Sequence, residues 1–397
     1  MKKKVLAFLM LGSLVISTLV GCNSNNATTA NKNNNEESTN AVRSEEDSND
    51  AIISNANLKE ITVAVPMADT GTTFLNQLSY NQNNILGPAA NVKFVYQQST
   101  FDADGILTFV ESQIAAGVDG LTFCPPSDSV LPTIATLCEE AGVYWCVAMR
   151  TIQDEDIRAL CEASPYYVGN CYEDEEETGY QVGEFLGKQG VKKIAIITTT
   201  KGDTTGDARE VGLARACEEF GMKIAGEARG LTQASDITNA VESFLSANAD
   251  LDVVFCVGTT VTGAQEVAVK AVQDSGRESV QVVTVDHPEG ITALFETGIL
   301  TYSIGVPSFA LDTYICNLKV VNAIQGTPIS GEKEGISSNF ISMAAVTSLE
   351  EAKEYEAASG DNAYIFFDKE EIESMLGWNN PEFNEAALQT LLDNYEL

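Results

Sequence analysis

Histidine is almost absent from this sequence, which limits the catalytic chemistry that the chain can support. The one histidine, His287, directly follows Asp286, and neighbours along a chain rarely pair as a general base with its orienting carboxylate. The GxSxG motif of serine hydrolases, the P-loop and the HExxH motif of zinc proteases are missing as well. These absences argue against an enzyme and give no reason to expect a cofactor. We expect His287 to cap or line a crevice beside Asp286.

Basic residues are also scarce. The chain has 23 Lys and Arg against 57 Asp and Glu, a formal net charge of −34. It therefore offers no basic stripe to displace counterions from phosphates, which excludes nucleic acid as a partner, and the same charge excludes binding flat against an anionic membrane. We interpret the acidity as a solvated exterior. The run Glu173–Glu177 could suggest a cation site, but acidic residues in the first turn of a helix complement its dipole, so we expect no metal.

The apolar run at the N-terminus is too short to span a membrane. Lys2, Lys3 and Lys4 precede the apolar stretch Val5–Val20, and a spanning helix needs about 20 residues. The motif Leu19-Val20-Gly21-Cys22 then closes the segment with a small residue ahead of a cysteine. This layout is typical of an export signal and not of a spanning helix.

The end of this segment resembles the lipobox of bacterial lipoproteins, in which the cysteine thiol receives a diacylglycerol and becomes the mature N-terminus. The resemblance implies a lipoprotein signal peptide over residues 1–22 and lipidation of Cys22. Two acyl chains suffice for stable anchoring, so we expect an extracytoplasmic protein tethered to the cell membrane. The alternative is an ordinary secretory signal in which Cys22 is incidental.

The nine cysteines include no CxxC pair and no zinc-finger spacing. Cys124, Cys146 and Cys256 lie in apolar, strand-like runs and are predicted to be small buried hydrophobic residues. Cys161 and Cys171 fall near loop segments. Exported proteins can form disulfides, so the sequence leaves undecided whether these two cysteines pair.

Residues 23–57 are rich in Asn, Ser, Thr, Ala, Glu and Lys and poor in large apolar residues. Such a stretch cannot bury enough surface to offset the entropy of ordering it, so we predict a disordered linker. The remainder, 58–397, is too long for one small core and indicates two domains.

In this remainder, short β-branched runs alternate with helical apolar patterns. In the predicted helix Ala103–Ala116, for example, Ile106, Leu107, Val110 and Ile114 share one face. The alternation runs once up to Val168 and then starts again. Strands alternating with helices of this length predict parallel sheets covered on both faces. The fold class is therefore α/β, with two doubly wound, Rossmann-like lobes, each with a ligand crevice at the carboxyl ends of its strands.

Several motifs, in order and spacing, resemble the type I periplasmic binding proteins, specifically the ribose- and galactose-like sugar-binding group. They extend over roughly Ile61 to Val346. The motifs that carry the resemblance are Ile61-Thr62-Val63-Ala64-Val65-Pro66 with Thr73-Phe74, Gln113-Ile114-Ala115-Ala116-Gly117-Val118-Asp119-Gly120-Leu121, Pro125-Pro126-Ser127-Asp128, Thr178-Gly179-Tyr180-Gln181-Val182-Gly183, Gly206-Asp207-Ala208-Arg209-Glu210-Val211-Gly212 and Val283-Thr284-Val285-Asp286.

The resemblance implies two lobes joined by a three-segment hinge, with a ligand crevice between them. We place the first lobe at residues 58–168 and 305–338, the second at 169–304 and 339–347, and a helical C-terminal extension at 348–397. The crossings are expected near Val168–Cys171, Tyr302–Val306 and Ser337–Phe340. A cytoplasmic repressor of the same fold would begin with a helix-turn-helix, whereas this chain begins with a lipobox and an acidic linker.

The resemblance also implies a function: capture of a small hydroxylated ligand, with a sugar as the favoured class, and delivery to an ABC transporter permease by a monomeric protein. The expected ligand-binding residues are Asp69, Thr73, Phe74, Arg150, Arg209, Thr259 and Asp286. A sensing role, in which the closed form docks on a receptor or histidine kinase, uses the same hinge and stays open. So does a non-sugar ligand such as a nucleoside or a signalling furanone.

Three positions depart from the family pattern and leave the site with fewer carboxylates and amides. Gly258-Thr259-Thr260 replaces an Asn-Asp pair, Met149 replaces an aspartate, and Gly305-Val306 replaces a glutamine. Arg209 and Asp286 are expected to form the main polar clamp, because guanidinium donors and carboxylate acceptors can bind neighbouring hydroxyls. We expect neither residue in the core, and we expect Glu175 to have no part in the site.

Overall fold

Two β-sheets with helices packed against them form the framework of the protein. A computed structural model describes residues 58–67, 73–100, 102–259, 261, 263–308 and 310–395. The strands are β1 (Ile61–Met67), β2 (Val92–Gln98), β3 (Gly120–Phe123), β4 (Tyr144–Met149), β5 (Tyr167–Glu173), β6 (Lys193–Thr198), β7 (Lys223–Arg229), β8 (Val253–Cys256), β9 (Gln281–Val285), β10 (Leu300–Gly305), β11 (Ser337–Ile341) and β12 (Ala344–Val346).

The helices alternate with these strands and then continue alone at the C-terminus. A π-helical turn, Gln82–Leu86, joins the first two helices, and a 3-10 turn, Asp128–Val130, precedes the fourth. The helices are α1 (Thr73–Asn81), α2 (Gly87–Ala90), α3 (Ala103–Ala116), α4 (Leu131–Ala141), α5 (Glu155–Ala163), α6 (Glu175–Lys188), α7 (Thr204–Phe220), α8 (Ala234–Ala247), α9 (Ala264–Asp274), α10 (Ile291–Glu296), α11 (Leu311–Ile324), α12 (Leu349–Ser359), α13 (Lys369–Met375) and α14 (Glu385–Asp393). None of the described helices is long and apolar enough to cross a membrane.

The sheets have the same internal order. The first lobe contains the sheet β11-β5-β4-β3-β1-β2, and the second lobe contains the sheet β12-β10-β9-β8-β6-β7. Every strand pair in the first sheet is parallel, whereas β12 runs antiparallel to β10 at the edge of the second. The predicted α/β fold class with two doubly wound, mostly parallel lobes is confirmed.

Helix α3 illustrates why the sequence pattern predicts the elements well. Asp102 caps the N-terminus by accepting a hydrogen bond from the Gly105 backbone N–H at 2.8 Å. Gly117 ends the helix with a φ of 79°, a left-handed conformation that glycine adopts without a Cβ penalty. Between these ends, Ile106 and Val110 of the predicted face are fully buried against the first sheet.

The lobe boundaries lie a few residues from their predicted positions. The first crossing was expected near Val168–Cys171, but β5 stays in the first sheet through Glu173, paired with β11. For the same reason the third crossing follows Ile341, instead of lying within Ser337–Phe340. The second crossing follows β10, because that strand completes the second sheet as far as Gly305.

The C-terminal extension packs on both lobes and crosses between them a fourth time. Helix α12 lies against α10 of the second lobe, and the chain then returns to the first lobe. There the buried Gln77 side chain donates hydrogen bonds to the Ser359 and Asp361 carbonyl oxygens at 3.1 and 2.9 Å. Asn81 donates to the Tyr364 carbonyl at 2.7 Å. The extension is therefore part of the core and of the connection between the lobes.

Helix α14 also covers the open edge of the first sheet. The Gln389 side-chain amide pairs with the backbone of Phe340 in β11, accepting from its N–H at 3.1 Å and donating to its carbonyl at 3.0 Å. Glu385 Oε2 accepts from the Ser338 N–H at 3.1 Å. These side chains take the place of a further strand. They satisfy backbone N–H and C=O groups at an edge that could otherwise pair with another chain.

All eight cysteines in the described part of the chain are free thiols. The disulfide left open between Cys161 and Cys171 does not form, because both thiols are buried in separate parts of the first lobe. Cys146 and Cys256 are buried, as predicted, whereas Cys124 is half-buried at the end of β3.

Candidate functional site

Two equivalent strand ends, one in each lobe, supply predicted site residues. Strands β4 and β9 occupy the same place in their sheets; β4 ends at Met149 and is followed by Arg150, and β9 ends at Val285 and is followed by Asp286. Met149 and Asp286 both have a φ of 64°. A left-handed conformation is uncommon for such residues and is found more often where the surrounding structure holds a functional group in place. These carboxyl ends are where open α/β sheets bind ligands.

Arg209, on α7, contacts three groups at the centre of this region. Its Nε and Nη2 donate to Glu175 Oε2 and Oε1 at 2.5 and 3.1 Å. Its Nη1 donates to the carbonyl oxygen of Val257 at 2.9 Å and lies 3.6 Å from Asp286 Oδ2. The predicted clamp residues Arg209 and Asp286 are thus neighbours, and the fork of the guanidinium is fixed by Glu175.

Close helix packing brings Arg209 and Glu175 together. A Cβ added at Gly179 in α6 would overlap the carbonyl oxygen of Arg209, and one at Gly212 in α7 would overlap the carbonyl oxygen of Glu176. The two helices can approach this closely only because both positions are glycine. Glu175 begins α6, so its side chain faces Arg209 across this contact.

The two clamp residues differ in burial. The Arg209 side chain is 4% exposed, whereas that of Asp286 is 36% exposed. Burial lowers the pKa of the Arg209 guanidinium, but the charges of Asp286 and Glu175 outweigh this effect and raise its pKa above the ordinary value. Arg209 is therefore a permanent cation, and Asp286 presents a carboxylate beside it that solvent or a ligand can reach.

Arg150 makes a different connection. Its Nη1 lies 3.2 and 3.3 Å from the hydroxyl oxygens of Thr204 and Thr205 at the start of α7 and donates to both. Arg150 belongs to the first lobe and the two threonines to the second, so these hydrogen bonds cross the crevice. A cavity of about 200 Å³ lies beside them, with Tyr172, Glu173 and Glu175 in its lining.

The other expected site residues lie nearby or outside the described residues. Thr73 is exposed at the start of α1, and Phe74 is half-buried against the core. Thr259 follows β8 and its hydroxyl accepts from the Val261 N–H at 3.1 Å. Asp69 and Cys22 fall outside the described residues.

A comparison with known protein families identifies the family of this chain. The model of the periplasmic binding protein domain matches residues 63–327, more than half of the sequence. The chain belongs to the periplasmic binding protein family. This confirms the resemblance inferred from the sequence motifs. A comparison with curated proteins found no match.

Solved structures with the fold of this periplasmic binding protein include three ABC transporter proteins. A solute-binding protein from Bacillus halodurans with bound myo-inositol is 18% identical, with a TM-score of 0.60 over 75% of this chain and 98% of that one. One from Actinobacillus succinogenes with bound D-allose is 18% identical, with a TM-score of 0.61 over 74% and 100%. A periplasmic ribose ABC transporter protein from Conexibacter woesei is 14% identical, with a TM-score of 0.62 over 77% and 98%.

Two expectations about this site were wrong. The helix dipole alone was expected to explain the position of Glu175, but Glu175 forms the bidentate ion pair with Arg209. Arg209 was expected outside the core, but it is buried, because its charge is satisfied within the second lobe. His287 is also buried; its Nδ1 lies 2.8 Å from Ser303 Oγ and its ring packs on Tyr355 of α12.

Sequence reasoning named Glu173 only as part of an acidic run explained by the helix dipole, and it did not name Asp312. Glu173 ends β5, and Asp312 lies in the first turn of α11 at the second crossing. An acidic residue in a first turn is ordinary, so no signal singled out Asp312. No group of three or more His, Cys, Asp or Glu side chains among the described residues is arranged to hold a metal ion.

Proposed function

We propose that this protein is a membrane-anchored, extracytoplasmic solute-binding protein. It captures a small hydroxylated ligand, with a sugar as the favoured class, between its two lobes, and it delivers that ligand as a monomer to an ABC transporter permease. The observation that carries the proposal is the Arg209–Asp286 pair, held 3.6 Å apart at the crevice by Glu175 and Val257. The protein binds its ligand without changing it.

The pair suits vicinal hydroxyl groups. Arg209 provides donors in fixed directions and Asp286 provides acceptors, so adjacent hydroxyls can pair with both at once. The structural neighbours named above hold myo-inositol and D-allose, ligands that carry several hydroxyl groups. Asp69, Thr73, Phe74, Arg150 and Thr259 are proposed to complete the site, with Phe74 stacking on a sugar face.

Closure of the lobes on the ligand follows from the connections between them. The chain crosses between lobes in short segments, which can act as a hinge. Arg150 reaches Thr204 and Thr205 across the crevice. We propose that these hydrogen bonds help to hold the closed form, in which the ligand is shielded from water.

A thermal-shift screen tests this function. A version lacking residues 1–22 is mixed with sugars, polyols and nucleosides, including ribose, allose and myo-inositol. A true ligand at a hundredfold excess over its dissociation constant stabilises the protein by about 2.7 kcal/mol. Recovery of the ligand unchanged after incubation supports the proposal. Chemical turnover of the ligand would contradict it, and so would a panel in which no compound raises the melting temperature.

Replacing Cys22 with alanine tests the membrane anchor. The expected result is that the protein moves from the membrane fraction to the medium or accumulates as unprocessed precursor, because the thiol that receives the lipid is gone. Fractionation and labelling with a radioactive fatty acid measure both outcomes, and Cys124→Ala is the control that retains the anchor. A Cys22→Ala protein that is still processed, membrane-bound and lipid-labelled would exclude the anchor.

A further inference from the structure

Carboxyl groups outnumber the cations that contact them where the first and second crossings meet the crevice. Glu173 ends β5, Glu175 begins α6, Asp286 follows β9 and Asp312 lies in α11. Arg209 contacts two of them, Glu175 and Asp286. Among the residues that the structure describes, no guanidinium forms an ion pair with Glu173 or Asp312.

The nearest lysine does not supply the missing partner. The Lys319 ammonium group is buried and donates to the carbonyl oxygens of Asn170 and Ser337 at 2.5 and 3.1 Å. It thereby joins β5 to β11 below the site. Arg150 uses its Nη1 on the two threonines of α7.

Asp312 does not belong to the acidic run that begins α6, so its burial is independent evidence. It comes from another helix and is 0% exposed, and neither carboxyl oxygen has a well-formed hydrogen bond within the described part of the chain, where the side chain that interacts with it is the weakly donating Cys171 thiol. A buried carboxyl group is normally paired or hydrogen-bonded, and leaving it unpaired is costly. Helix α11, which carries Asp312, packs against β5, which ends at Glu173, and the charge of Asp312 raises the pKa of Glu173.

A ligand can reach this region through the cavity of about 200 Å³ between the lobes. Glu173 and Glu175 line the cavity together with Arg150 and Tyr172. Glu173 is half-buried and lines the cavity, so it is the accessible member of the acidic group, whereas Asp312 is fully buried.

The electrostatic environment agrees with an excess of negative charge. Burial, followed by the charge of Asp312, raises the pKa of Glu173 well above its ordinary value. Burial likewise raises the pKa of Asp312 to about 7. The region relieves this excess by taking up either a proton or a cationic group of the ligand.

We propose that the ligand carries an ammonium group as well as hydroxyl groups, and that Glu173, backed by Asp312, binds the ammonium while Arg209 and Asp286 bind the hydroxyls. The chemical class is an amino sugar or an aminocyclitol. An ammonium group offers three donors, and hydrogen bonds between charged partners are roughly twice as strong as neutral ones. This inference rests on the proposed function and adds the charge of its ligand.

Calorimetry with matched compounds tests the inference. The version lacking residues 1–22 is titrated with D-glucosamine and D-galactosamine, and with D-glucose, D-galactose and the two N-acetylated amino sugars. The expected result is that at least one amino sugar binds tenfold or more tighter than both its neutral counterparts. Equal or tighter binding of the neutral compounds would overturn the ammonium site while leaving sugar binding intact. Binding of none of the six would instead contradict the proposed function together with this inference.

Substitutions test which residues produce the preference for an amino sugar. Glu173→Gln and Asp312→Asn should each reduce the preference for the amino sugar over the neutral sugar by tenfold or more, because the negative charge is lost while the shape of the side chain is kept. Glu177→Gln, whose side chain is 44% exposed on the same helix as Glu175 and lies outside the lining of the cavity, is the matched control and should keep the full preference. A preference that survives both buried-site variants would overturn the assignment. Stabilisation by calcium chloride that competes with the amino sugar would overturn it in favour of a metal site.

Discussion

Replacing Arg209 with alanine lowers both ligand affinity and the stability of the unliganded protein. The guanidinium is one half of the proposed clamp, so its loss should weaken binding by at least about tenfold, as expected when a charged hydrogen-bond partner is removed. Among the described residues it is also the only ion-pair partner of the Glu175 carboxylate, whose side chain is 14% exposed. Breaking a buried pair by removing one partner costs about 3–5 kcal/mol.

Arg215 provides the matched control for this prediction. It lies on the same helix and pairs with Glu176 and Glu177, the neighbours of Glu175, but its side chain is 47% exposed. Exposed pairs contribute about 0.2–1 kcal/mol, so Arg215→Ala should change stability little and affinity not at all. Urea unfolding and calorimetry measure both variants. An Arg209→Ala protein as stable as Arg215→Ala would show that the buried pair is not formed.

Asp286→Ala separates binding from stability at the same site. Its side chain is 36% exposed, so losing its charge costs the folded state less than losing the buried Arg209 side chain. Affinity should fall by about tenfold or more, while the unfolding midpoint changes little. Unchanged affinity in both Asp286→Ala and Arg209→Ala would place the ligand elsewhere.

Replacing Phe367 with alanine in the C-terminal extension should destabilise the whole first lobe. Phe367 is 3% exposed and packs on Tyr314, a fully buried residue of α11 that lies beneath the extension. Deleting a buried phenylalanine side chain costs about 3–5 kcal/mol, a large part of the total stability of a typical domain. Chemical unfolding followed by tryptophan fluorescence measures the change.

Ile365 is the control for Phe367. It lies two residues away but is 40% exposed, so Ile365→Ala should cost well under half as much as Phe367→Ala. Equal costs would show that the extension does not pack as described. A chain ended after Gly360 goes further, because it removes a group of buried residues, and it should fail to fold. That group is Phe366, Phe367, Ile372, Met375, Leu376, Trp378, Phe383, Leu388 and Leu392.

Most of the fold could be predicted because parallel strands buried on both faces appear in the sequence as short β-branched runs. Strands such as Val253–Cys256, in which every residue is buried, leave a clear signal. Helix α5 was missed, and α12 was predicted only as an unspecified part of the helical C-terminal extension. Their apolar faces are narrow: α12 buries only Ala352 and Tyr355 among eleven residues, and charged residues fill most of the rest.

The crossings between the lobes lie a few residues from their predicted positions for a related reason. Strand β11 begins Ser337-Ser338-Asn339, a polar sequence without the alternation of a strand. Its position is set by pairing with β5 and by the α14 side chains that cover it, contacts between residues far apart in the chain. A local pattern cannot show such pairing.

The candidate site, too, could be predicted only in part. Arg209 and Asp286 could be found because they match family motifs at predicted loop and strand ends, and the structure places them side by side. The role of Glu175 depends on how closely α6 and α7 approach at Gly179 and Gly212. Asp312 is recognised only through its burial without a partner, which the sequence does not display.

The position of the ligand tests the central claim most directly. A crystal structure of the protein with the compound that stabilises it most would show that position. We expect electron density between the lobes, with ligand hydroxyl oxygens within about 3 Å of Arg209 and Asp286. Density outside this crevice, with Arg209 still bound only to Glu175, Val257 and Asp286, would contradict the account.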